Sequence, residues 1–120
     1  MQDFRELGVW QKAHATVLAI YQLTGDLPQS EKFGLTIQLR RSASSVAMRI
    51  AEGCGRSSDI EFAVELRRAT AASSELEYLV LLARDLAYLE AEQYEHLSFA
   101  IIEVRKMLSG LMKKLSLTCP

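Results

Sequence analysis

The stretch SDIEFAVELRRATAASSELEYLVLLARDLAY, residues 58–88, reads as one long helix with its start signal attached. Ser58 and Glu61 have the spacing of a capping box, in which each side chain satisfies a backbone donor that the first turn leaves open. From there Phe62, Leu66, Ala69, Ser73, Leu76, Val80, Ala83 and Ala87 step by three or four and form one apolar stripe. A helix this long with a narrow stripe must bury it against other helices.

The rest of the chain supplies them. Trp10, Ala13, Val17, Ile20 and Thr24 place a first helix at about 7–24, stopped by Gly25 and Pro28. Leu35, Leu39, Ala43, Val46 and Ile50 place a second at about 30–53, with Ser30 as its N-cap and Gly53-Cys54-Gly55 as its end. The third helix spans about 59–88. The fourth, at about 91–115, repeats Tyr94, Leu97, Ile101, Val104, Leu108, Leu111 and Leu115 with four-three spacing, which favours a shallow crossing angle. Leu117 to Pro120 reads as a frayed end. No period-two alternation and no hairpin turn is present. Short links between long helices force neighbours antiparallel. The expected fold is a single all-α domain over residues 1–120, an antiparallel up-down-up-down four-helix bundle.

Charge narrows the function classes. The 120 residues carry a net charge of −1; residues 1–60 hold 7 basic and 6 acidic groups, residues 61–120 hold 7 and 9. Neither half is a polycation of the kind that displaces counterions along nucleic acid, so an anion site must be a local cluster. With no signal pattern at MQDFRELGVW, no apolar run of membrane-spanning length and only Cys54 and Cys119, a reducing, cytoplasmic setting is expected.

Apolar residues exceed what four stripes need. Tyr78 to Ala83 is apolar at six successive positions, and Ile37, Met48, Ala51, Phe99, Ile102 and Met112 lie off the stripes of their helices. A helix apolar all round is buried all round, so self-association is expected.

The second helix carries a different signal. Arg41, Ser45, Arg49, Glu52 and Arg56 follow one another by three or four and form one polar ridge. With Arg40, Arg67 and Arg68 they form a candidate cluster for RNA, DNA or another anionic partner, since guanidinium suits bidentate phosphate contacts. The competing expectation is a structural ridge in which these arginines pair with Glu52, Glu61, Glu65 or Glu75, and the count of carboxylates favours it. Glu52 is within reach of Arg49, and of Arg56 if the helix extends that far.

The segments FRELGVWQKA, LP…E.FGLTIQLRRSASSV…IAEG.GR, EF and SSELEYLVLLA resemble the four-helix proteins encoded in intervening sequences of bacterial 23S ribosomal RNA. Arg40, Arg41, Ala51, Glu52, Gly53, Gly55, Arg56, Glu61, Phe62 and Glu75 match that pattern. The resemblance implies a cytoplasmic homo-oligomer, a ring of five. The family is also similar to the basic accessory protein of diversity-generating retroelements, which associates with a reverse transcriptase and nucleic acid. Many relatives carry proline and asparagine at the positions of Ala47 and Arg49.

No cofactor, metal or catalytic site is expected. Glu92, Glu95 and His96 share one turn without the second Glu-x-x-His of a di-metal bundle. His14, Cys54, His96 and Cys119 lack zinc spacing, and GCGRSS lacks the lysine of a phosphate loop. Cys54 reads as a structural thiol. Trp10, Phe33, Phe62 and Phe99 fall near apolar stripes and are expected in the core. The chain is expected to be a non-enzymatic homo-oligomeric interaction module, an RNA-associated adaptor, with direct RNA or DNA binding as the alternative.

Overall fold

A computed structural model describes residues 2–118, with side chains to 115. After a turn of 3₁₀ helix at Phe4–Glu6 come α1 (Gly8–Thr24), α2 (Leu35–Cys54), α3 (Asp59–Asp85) and α4 (Ala91–Thr118), and no strand occurs among the described residues. The extents of 49 × 22 × 20 Å are about one long helix by two helix diameters, as a bundle requires.

Cross-helix pairings fix the directions. Gln2 bonds to the Cys54 carbonyl while Arg40 reaches Thr24, so α1 and α2 are antiparallel. Ser42 bonds Glu75 while Arg56 bonds Glu65, which does the same for α2 and α3. Arg105 bonds Glu77 and Arg84 lies over the Tyr94 ring, so α4 runs back along α3. Lys12 pairs with Glu103 and closes the circle between α4 and α1.

The predicted stripes form the core. Ile20, Leu39, Ile50, Leu66, Leu76, Ile101 and Leu108 are fully buried. Between two apolar clusters lies a waist of smaller residues, where Ala13, Thr16, Ala43 and Ser73 meet. The Thr16 and Ser73 hydroxyls donate to the Lys12 and Thr70 carbonyls of their own helices, so their burial leaves no donor unmet.

Several boundaries differ from the expectation. The second helix starts at Leu35, not Ser30, because Gln29–Glu31 forms a separate 3₁₀ turn and Gly34 adopts a non-helical conformation (φ −117°, ψ −108°). Glu31, rather than Ser30, closes its first turn by accepting from the Leu35 amide, and its other oxygen takes the Tyr88 hydroxyl. The third helix stops at Asp85. Ala87 turns left-handed (φ 65°), with Tyr88 N–H donating to Ala83 and Ala87 N–H to Arg84. That is a Schellman end with alanine where glycine is usual. The fourth helix runs on through Thr118; Cys119 and Pro120 lie outside the described residues.

The Schellman end makes a testable point. Ala87→Gly removes the left-handed Cβ strain and raises stability by about 1 kcal/mol, read as a higher thermal midpoint.

Two of the aromatics expected inside are outside. Phe62 is buried and Trp10 half-buried, but Phe33 is 83% and Phe99 71% exposed. Phe33 precedes the true start of α2, and Phe99 lies two residues from each of the core positions Leu97 and Ile101, half a turn away from them.

Candidate functional site

The polar ridge of α2 ends against the start of α3, and one glycine sets the distance. A Cβ on Gly53 would lie 2.6 Å from the Phe62 ring and 3.3 Å from the Glu65 Cβ. Lacking one, α2 presses onto the first turns of α3. Gly55 then ends α2, and Ser58 caps α3 by accepting from the Glu61 amide. The short link turns Arg56 back over the junction.

Glu65 is the centre of what results. It is only 1% exposed, yet it is a carboxylate. One oxygen accepts from Arg56 at 2.6 Å (Nη2) and 3.2 Å (Nε). The other accepts from Arg68 at 3.3 Å and faces Arg49 at 3.7 Å. No buried side-chain polar atom among the described residues lacks a partner. The Arg56 hydrogen bonds hold the Glu65 carboxyl below the usual carboxylate range against the opposing effect of burial, and Glu65 in turn raises Arg56.

The other candidates divide. Arg49 also pairs with Glu52 at 3.3 Å. Arg56 turns to Glu65 instead of Glu52, because the helix ends at Cys54 and no i+4 geometry exists. Arg40 is separate from the cluster: it donates to Thr24 Oγ1 (2.8 Å) and the Tyr21 carbonyl (3.4 Å), over the Tyr21 ring, and so serves the C-terminal end of α1. Arg41 and Arg67 are exposed, and their side chains make no ion pair or hydrogen bond among the described residues.

Two of the expected ion-pairing carboxylates hold hydroxyls instead. Glu61 accepts from Ser57 and Ser58, which lowers its pKa, and Glu75 accepts from Ser42 at 2.8 Å. Both bond serines and form no ion pair among the described residues, although the nearby Arg56 charge also lowers Glu61. Sequence reasoning left Glu65 among several acidic neighbours. Its signal was the position: three residues after Phe62 and four before Ala69, it stands on the apolar stripe.

Other chemistry is sparse. Cys54 is buried, and burial pushes its thiol up, away from a reactive thiolate. Among the described residues no three His, Cys, Asp or Glu side chains converge on a metal-sized site. None of these helices is long and apolar enough to cross a membrane.

With the junction defined, the kinship can be read. The sequence profile of the 23S rRNA-intervening sequence proteins matches residues 5–110, which takes in the first three helices, most of the fourth and the Glu65 junction. The chain belongs to that family. A crystal structure of a protein of unknown function from the S23 ribosomal protein family of Bacteroides thetaiotaomicron VPI-5482 has the same fold. It superposes with a TM-score of 0.82 at 27% identity, over 88% of this chain and 98% of that one. No curated protein matches the chain.

Proposed function

We propose that this member of the family is a non-enzymatic module that assembles with copies of itself, as a ring of five, and presents an arginine-bearing surface as an RNA-associated adaptor. One observation carries the reading. In the isolated chain Ile37, Met48, Tyr78 and Phe99 remain 37%, 54%, 59% and 71% exposed, on three different helices. Large apolar groups repeated around a small bundle favour covering by another chain. Of the six apolar positions at 78–83, Leu79, Val80 and Ala83 are buried within the bundle, so the surplus is concentrated at Tyr78.

Light scattering on the purified protein tests this. The expected mass is a constant multiple of the chain mass over a wide concentration range, five chains for the ring. A single-chain mass at high concentration overturns it.

Direct RNA binding is a second reading, favoured by Arg41 and Arg67, which are free of carboxylates among the described residues. A multimer would repeat them and gain by avidity. Here affinity for structured RNA falls steeply with salt and is lost in the Arg41→Ala/Arg67→Ala variant. No binding at low salt overturns it.

A further inference from the structure

We infer that copies join face to back, with the outer ridge of α2 in one copy seated in the cleft between α1 and α4 of the next. The inference rests on the self-assembly proposed above and specifies its surfaces. Three observations carry it.

The first is shape. Besides a recess at the end of the bundle, where the α2–α3 link faces Leu111 and Leu115 of α4, the flank between α4 and α1 is open. There two adjoining recesses of about 300 Å³ and 150 Å³ share Ala19, His96 and Leu97, so they form one groove. Ala15, Ala19 and Ala100 line it, and side chains that small let a foreign helix come close. From Lys12 to the end of α1 at Thr24 it runs about 18 Å at the helical rise, with Asp26 just beyond.

The second is the ridge. Ile37, Arg41 and Met48 follow one another along the outer side of α2, opposite Leu39, Val46 and Ile50 in the core. From Ile37 to Met48 is about 16 Å, within the span of the groove. Ile37 and Met48 are exposed and apolar.

The third is charge. Arg41, in the middle of the ridge, has no ion pair among the described residues. The groove side has carboxylates to offer: Asp26 at one end, with Glu92 and Glu95 one turn before His96 and Phe99 on α4. None of these three has an ion pair among the described residues, whereas Lys12 in the groove is already held by Glu103 at 2.9 Å. A cationic ridge and an acidic groove attract each other, while ridge against ridge sets Arg41 against Arg41. The two surfaces lie on different sides of the bundle, so the contact is heterologous and does not close as a two-fold dimer.

Complementation of two defective chains tests the pairing. Ala15→Arg blocks the groove, and the double change Ile37→Ser/Arg41→Glu disables the ridge. All three positions are solvent-facing, and circular dichroism checks that each variant keeps its helices. Each variant alone is expected to scatter light as a single chain. An equimolar mixture then forms a two-chain complex and stops there, because only one intact groove and one intact ridge meet. Should the wild type assemble while Ala15→Arg assembles equally well, the groove is not the receiving surface and this inference falls, with self-assembly standing. The same holds if the ridge variant assembles unchanged, or if the mixture gives no two-chain complex. A wild-type monomer overturns the underlying reading instead.

Discussion

Replacing Glu65 by alanine lowers the stability of the bundle by about 3 kcal/mol. The value follows from what the carboxylate holds. It is buried at the α2–α3 junction and accepts charge-assisted bonds from Arg56 and Arg68 while facing Arg49. Such bonds contribute about 1.5–3 kcal/mol where the partner is charged, and losing one member of a buried pair costs about 3–5 kcal/mol. The lower part of that range applies, because the three arginines remain between 38% and 55% exposed and regain water.

Glu65→Gln isolates the charge. Since the folded-state pKa of Glu65 lies below its unfolded value, its contribution is complete above the unfolded value and fades as pH falls through the folded one. The difference in thermal midpoint between wild type and Glu65→Gln is therefore widest near neutrality and closes below about pH 4. A gap that stays constant down to strong acid would show that the carboxylate carries no stabilising charge at the junction.

Gly53→Ala destabilises the protein although alanine is the better helix former. Mid-helix, that exchange ordinarily gains up to about 1 kcal/mol. Here the new methyl falls 2.6 Å and 2.9 Å from two Phe62 ring carbons and 3.3 Å from the Glu65 Cβ. Moving a buried ring away from a packed seam costs about 1–3 kcal/mol, so the clash wins. Gly53→Leu, with more to accommodate, reaches the upper end of that range or beyond.

Two other glycines serve as controls. A Cβ on Gly110 in α4 meets nothing within 4 Å, and Gly110→Ala gains roughly 0.5–1 kcal/mol. One on Gly55 meets only backbone oxygens at 3.5 Å and 4.0 Å, and Gly55→Ala is close to neutral. Urea titrations of the three alanine variants check the order. If Gly53→Ala is stabilised alongside Gly110→Ala, the close approach of α2 and α3 is not what the structure describes. Replacing Phe62 by leucine in the Gly53→Ala background is expected to recover part of the loss, as a positive coupling in the double-mutant cycle.

The helices were legible because burial enforces a period. Leu39, Ile50, Leu66, Leu76, Ile101 and Leu108 can share one interior only at three-four spacing, and each lies inside as that spacing requires. Ser58 was legible as a cap because the geometry is local. What escaped depends on distances between segments. Nothing near Arg56 in sequence says that its link turns toward Glu65 at |i−j| = 9 rather than along a helix to Glu52. Arg40 follows the same rule, since its partners Tyr21 and Thr24 belong to another helix. The exposed positions of Phe33 and Phe99 escaped for a different reason. Composition says that aromatics favour the interior, but only helix phase and the true start of α2 decide which way these two face.

The seam between α2 and α3, where Gly53, Ser42, Ala69, Ala72 and Ser73 bring backbones close, differs from the looser edge between α1 and α4. The tight seam joins helices adjacent in the chain through a short link, whereas the loose edge joins the two that are farthest apart in sequence. Closing a small loop costs less entropy than closing a large one, so contacts between helices adjacent in the chain are expected to form first and the edge between α1 and α4 last. The same asymmetry governs native fluctuations. Backbone amides in the central pair are expected to exchange with deuterium only on global unfolding, while those of the first and last helices are expected to lose protection sooner through partial opening.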